Sequence, residues 1–208
     1  MTLKDILLKK GNPTHEVVEA LASVCNTYEI EKGEILVKQG EMCHKIYFIS
    51  EGLFRIMHEK DNKEDTVVFG GAGEVFLSFH TYVYREPSVF SLHCLERSTG
   101  WYTSIDKFKA LLLKFPELAE WWGNVLASQI AAIEQLYSLF SLVDAEQRIE
   151  NFWTIVNPDL QQSHYRKTFN LIPMKYFAQY IGITPQSLSR LRRKILNSKI
   201  LRNKDTNS

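Results

Sequence analysis

Residues 36–52 read LVKQGEMCHKIYFISEG. Gly40 is followed by the polar Glu41 and then the small Cys43; four consecutive apolar residues, Ile46–Ile49, come next, and Gly52 closes the run at the following turn. Glycines at these points turn the chain between sheets, and the apolar run fills the inside of a barrel. The pattern marks a fold more than a chemistry.

The same texture continues on both sides. From Tyr28 to Ser104 there are short β-rich runs: EILVKQ, KIYFIS, GLFRIMHE, DTVVFG, VFSLHCLE and GWYTS. Turn signals separate them at Lys32-Gly33, Gly40, Glu51-Gly52, Asp61-Asn62 and Gly70-Gly71. This spacing predicts an antiparallel sandwich or jelly roll. Ahead of it, Val17, Val18, Leu21, Ala22 and Cys25 repeat at helical spacing, which predicts a short amphipathic helix over 14–25.

Behind the β-rich region, Pro116 suits the first turn of a long helix reaching about Leu142. Ala119, Leu126, Ile133 and Phe140 recur every seven residues, with Gly123, Ile130 and Tyr137 between them. That is an a/d seam over about three heptads. At 1.5 Å per residue the helix is roughly 40 Å long, more than a lid on a β-domain needs. The seam is read as a contact between subunits through Leu126, Ile130, Ile133, Tyr137 and Phe140. Asp144 is the expected N-cap of the next helix, AEQRIENFWTIV.

Residues 173–195, PMKYFAQYIGITPQSLSRLRRKI, fit two helices crossing at a tight turn. Phe177, Ala178 and Ile181 line the inner face of the first, and Gly182 ends it with a positive φ. Thr184 is the N-cap of the second helix, Pro185 its first residue, and Leu188, Leu191 and Ile195 face inward. The outer face carries Gln186, Ser187, Ser189, Arg190, Arg193, Lys194 and Asn197, residue types that reach base edges and phosphates in a major groove. Thr184, Gln186, Ser187, Ser189, Arg190, Arg193 and Lys194 are the expected contacts to double-stranded DNA. Arg190 can fork onto a guanine and Gln186 can pair with an adenine, while Arg193 and Lys194 neutralise phosphates. Arg192 lies toward the packed side.

Charge supports the same division. Residues 164–208 hold ten basic residues against Asp205 alone, a balance of +9, so the preceding 163 residues carry −8 and the chain +1. A basic module seeking a polyanion is attached to an acidic one with another task. Cys25, Cys43 and Cys94 are odd in number and form no CxxC pair, which argues against a disulfide framework, a zinc ribbon or an iron–sulfur cluster. His44, His58, His80 and His93 lack His-x-His spacing, so no metal or haem is expected and a cupin-like metal enzyme finds no ligand set. With no apolar run of about 18 residues and no signal-peptide pattern, the chain is expected in the cytoplasm, off the membrane.

Taken together, the signature at 36–52, the seam helix and the C-terminal helix-turn-helix resemble the Crp–Fnr superfamily of bacterial transcription regulators over nearly the whole chain. The resemblance implies an α+β fold: an antiparallel β jelly roll, or double-stranded β-helix, over 1–115; a dimerisation helix and hinge over 116–143; and a winged-type helix-turn-helix domain over 144–208. The short tail NSKILRNKDTNS implies a reduced wing. A homodimer would place two recognition helices in successive major grooves about 34 Å apart. RNA polymerase is a further partner in such a scheme, and no enzymatic activity is expected.

The family's second signature is a phosphate cassette, Gly-Glu followed by Arg-Ser/Thr-Ala. Here Gly73-Glu74 is present, Pro87-Ser88 stands at the Arg-Ser place, and Arg85 comes two residues early. Cyclic-AMP-responsive members present hydroxyls from the long helix, where this chain has Ile133 and Glu134. A buried phosphate needs a paired cation, so cyclic AMP is disfavoured. The expected effector surroundings are Gly73, Glu74, Val75, Phe76, Arg85, Ser88, Ile133 and Tyr137, with Phe79 and Tyr82 nearby, for some other small molecule, the alternative being a domain that binds no ligand. The alternative reading is a ligand-sensing or docking module whose basic C-terminal region binds a protein or an anionic surface.

Overall fold

A computed structural model of the chain describes residues 1–156 and 172–194. The chain divides into two compact units, Met1–Leu136 and Tyr137–Ser208. The first begins with α1 (Leu3–Leu8) and α2 (His15–Val24), followed by strands β1 (Asn26–Ile30), β2 (Ile35–Val37), β3 (Lys45–Lys60), β4 (Lys63–Gly71) and β5 (Val75–Leu77). Then come α3 (Phe79–Tyr84), β6 (Ser91–Ser104), α4 (Ile105–Lys114) and α5 (Pro116–Phe140).

All strand pairings are antiparallel. The order is β1-β6-β3-β4, with β2 beside β6 and β5 beside β3. Asp61 and Asn62, at φ 52° and 57°, make the two-residue hairpin turn between β3 and β4 that the sequence signals.

The run Ile46–Ile49 splits by parity, because successive side chains on a strand point to opposite faces. Ile46 and Phe48 join Leu3, Ile6 and Leu7 of α1, Leu21 of α2, Phe108 of α4 and Trp121 of α5 in one cluster. Tyr47 and Ile49 join Ile30, Val37, Cys43, Phe54, Leu92 and Cys94 in a second, between strands. Burying each such side chain contributes roughly 1.5–3 kcal/mol, so the run anchors two cores at once. The Trp121 indole N–H donates to the Leu7 carbonyl at 2.8 Å, which ties α5 to the first helix.

Gly52 does not break the strand as its turn signal suggested. β3 runs through it at φ +114°, and the pairing with β6 shifts register around it. A glycine in this conformation bends a strand without ending it. β6 likewise joins the two runs expected as VFSLHCLE and GWYTS. α1 and α3, six residues each, went unread because so short a segment shows little periodicity.

In the second unit, α6 (Ala145–Val156) starts at Asp144, whose carboxylate accepts from the Gln147 N–H at 2.9 Å. The expected N-cap is there. Next come α7 (Met174–Ile181) and a helix over residues 185–194, here α8. Ile149, Phe152, Phe177, Ala178, Ile181 and Leu188 form the buried centre, with the Phe152 and Phe177 rings 4.6 Å apart. Phe140 lies 5.4 Å from the Tyr180 ring.

Candidate nucleic-acid interface

Local chemistry dictates the turn between α7 and α8. Gly182 takes φ +79°, and the Ile183 N–H reaches back to the Ala178 carbonyl at 3.0 Å, closing the helix end. Ala178 is fully buried, as a close helix crossing requires. The Thr184 hydroxyl accepts from the Ser187 N–H at 3.2 Å and donates to the Ser187 hydroxyl at 3.0 Å. Thr184 and Ser187 are therefore engaged in capping α8, whatever else they meet.

α8 separates cleanly into two sides. Leu188 is fully buried and Leu191 half-buried, while Gln186, Ser189, Arg190, Arg193 and Lys194 are exposed. Arg192 is exposed as well, rather than turned to the packed side, and its guanidinium reaches the Met174 sulfur at 2.8 Å. Ile195, Asn197 and the wing region lie outside the described residues.

Two contacts from α6 escaped the sequence reading. Arg148 donates to the Ile181 carbonyl at 2.9 Å and to the Val143 carbonyl at 3.2 Å, so it holds the end of α7 and the start of its own helix together. Glu146 meets the Lys194 ammonium at 2.6 Å. The Glu146 hydrogen bond and its charge raise the Lys194 pKa. Nothing local signals a pair 48 residues apart.

Along α5, Ile130, Ile133 and Tyr137 are 59%, 65% and 75% exposed in the single chain. Leu126 packs partly against the first unit's helical core, and Phe140 is engaged with Tyr180. The middle of the expected seam is thus apolar and uncovered, while its two ends are shared with the fold.

Within the first unit, the expected effector residues Gly73, Glu74, Val75, Phe76, Arg85 and Ser88 have different surroundings. Glu74 is exposed, and the Lys9 ammonium crosses beside Gly73 to the Ala72 carbonyl at 3.3 Å. Val75 faces the helical core and accepts from the Gln129 amide at 3.1 Å, whereas Phe76 packs with the strand interior. Arg85 ends α3 at φ +60°, exposed and paired with Asp106 at 3.3 Å. Ser88 is buried and donates to the Phe90 carbonyl at 2.8 Å.

The deeply buried cation of this unit is Arg55, which the sequence reading passed over. It donates to His93 Nδ1 at 2.8 Å, to Glu64 at 2.7 Å and to Thr66 at 3.3 Å. Its neighbours Phe54 and Ile56 belong to the interior cluster, so parity sends Arg55 to the other face. The interior is instead lined by rings and thiols. Tyr28 stands edge-on to Tyr47, Tyr102 lies 6.0 Å from Tyr47, and Cys43 and Cys94 are close by. Burial pushes the Tyr28 and Tyr47 phenols above their ordinary range. Among the described residues no group of His, Cys, Asp and Glu is arranged to hold a metal ion, and no helix is long and apolar enough to cross a membrane.

The cyclic nucleotide-binding domain family matches residues 28–115. Among curated proteins none matches the chain. Among solved structures, FixK2 from Bradyrhizobium japonicum superposes with a TM-score of 0.69 at 16% identity, covering 85% of this chain and 87% of that one. A CooA mutant from Carboxydothermus hydrogenoformans gives 0.68 at 16% identity over 95% and 85%. The catabolite activator protein of Thermus thermophilus gives 0.55 at 18% identity over 93% and 88%. Residues 28–115 thus match the cyclic nucleotide-binding domain family, and the chain shares the fold of FixK2, CooA and the catabolite activator protein.

Proposed function

We propose that this protein is a sequence-specific DNA-binding transcription regulator of the Crp–Fnr type that works as a homodimer in the cytoplasm and catalyses no reaction. The observation that carries the reading is α8. Its exposed side is polar and cationic through Gln186, Ser189, Arg190 and Arg193, and it rises from a capped glycine turn. Sites on rigid elements hold base-reading geometry better than loops do. Arg190 reads a guanine edge, Gln186 an adenine, and Arg193 a phosphate. The +9 balance of residues 164–208 supplies the long-range attraction.

In this scheme residues 1–115 are the effector domain, with the sheet closed as a jelly roll; 116–143 form the dimerisation helix and hinge; 144–208 read DNA. The uncovered Ile130, Ile133 and Tyr137 meet their counterparts in a second copy. The effector, where one acts, is a small molecule other than cyclic AMP. The deeply buried cation described in the first unit, Arg55, is engaged by His93, Thr66 and Glu64, and Arg85 is turned to Asp106 at the surface.

The test is binding to a mixed-sequence duplex across a salt series, followed by selection of a preferred site. Several phosphate contacts demand a steep linear fall of log affinity with log salt. Arg190→Ala is expected to lose roughly 1–3 kcal/mol of discrimination at one base pair. Binding that ignores salt, or an Arg190→Ala protein with undiminished discrimination, overturns the reading.

A further inference from the structure

Lys194 closes a stripe on α8. Gln186, Arg190 and Lys194 follow each other at four-residue spacing and so share one side of the helix. Glu146 stands at the end of that stripe. It sits in the first turn of α6, just after the Asp144 cap, where the helix dipole favours a carboxylate. Its carboxylate lies 2.6 Å from the Lys194 ammonium, with side-chain exposures of 35% and 66%.

The ion pair is a poor candidate for holding the unit together. Exposed pairs contribute little to stability. α6 is already joined to α7 by Arg148 on the Ile181 carbonyl and by the Phe152–Phe177 ring contact. What the pair does change is the charge presented to a polyanion. A lysine already neutralised by a carboxylate gains less from a phosphate, and the freed carboxylate stays beside the DNA.

We propose that Glu146 is a built-in competitor for the DNA phosphate that Lys194 would otherwise neutralise, and that it holds the affinity for DNA below what α8 alone could reach. This inference rests on the reading of the chain as a DNA-binding regulator. Glu146→Gln keeps the size and removes the charge. It is expected to tighten binding to a mixed-sequence duplex about 2- to 5-fold and to steepen the log–log salt slope by about 0.9, one further phosphate contact.

The experiment compares four full-length proteins by fluorescence anisotropy across a salt series: the parent, Glu146→Gln, Lys194→Ala and the double variant. Matching melting curves establish that all four are folded, and Glu146→Ala serves as a second neutral replacement. The expected result is that both neutral replacements tighten binding, that the gain vanishes once Lys194 is alanine, and that Lys194→Ala costs more in the Glu146→Gln background than in the parent. An unchanged affinity and slope, or an equal gain with and without Lys194, overturns the assignment while leaving the regulator reading in place. A parent that fails to bind duplex DNA overturns both.

Discussion

Tyr28 stands edge-on to Tyr47, with ring centroids 5.5 Å apart and planes at 89°. The geometry suits the rings, but the Tyr28 hydroxyl is buried and finds no hydrogen-bond partner among the described residues. An unsatisfied buried hydroxyl costs about 1–3 kcal/mol. Tyr28→Phe keeps the ring contact and removes the cost. Its melting temperature is expected to equal or exceed that of the parent. A clear fall would show that the hydroxyl is serving a partner.

Gly52 resists replacement on two counts, conformation and space. It holds φ +114°, and a Cβ built there would lie 1.8 Å from the Ser98 hydroxyl and 2.8 Å from the Ser98 Cα. Gly52→Ala is expected to destabilise the protein by about 2–5 kcal/mol in denaturant titration. Adding Ser98→Gly should recover only part of the loss, because the backbone conformation still disfavours a side chain. Full recovery would place the whole cost in the clash.

The thiols are expected to be inert in the folded chain. Burial pushes Cys25 up to about 12. Burial also raises Cys94, against the lowering effect of its contact with Ser98. A raised thiol pKa keeps both groups protonated through neutral pH, and the thiolate is the reactive form. Iodoacetamide at about pH 8 should therefore label Cys25 and Cys94 slowly in the native protein and quickly in denaturant, as read by mass spectrometry. Rapid native labelling of Cys25 would show that its surroundings open readily.

Ile133 is the central residue of the uncovered stripe on α5, 65% exposed in one chain. Ile133→Lys places a charge where the proposed partner helix packs. It is expected to give a folded monomer by light scattering, lowered in melting temperature only by what dimerisation adds, since the residue stands clear of the described residues' cores. A surviving dimer would move the interface elsewhere.

The sequence revealed most where spacing carries the information. Gly182, Thr184 and Leu188 announce the helix turn, because each is dictated by its immediate neighbours, and Pro116 announces the start of α5. It revealed least where strands bring distant residues together. Arg85 stands two residues early for the phosphate cassette and is expected only near some other effector, and a left-handed φ at the end of α3 turns it outward to Asp106. Arg55 sits among apolar neighbours with no local sign that Glu64, Thr66 and His93 gather around it. Its alternation with Phe54 and Ile56 was the available hint. Nothing near Glu146 and Arg148 in the sequence marks their partners, and only the fold shows what they hold.

Because Ile46–Ile49 divides its side chains between two clusters, the two can diverge separately. Changes at Tyr47 or Ile49 can be compensated from facing strands, without disturbing the helices that carry α5. Changes at Ile46 or Phe48 are answered by α1, α4 and α5, without reshaping what the strands enclose. Such a scaffold can change one core while the exposed stripe on α5 keeps its place.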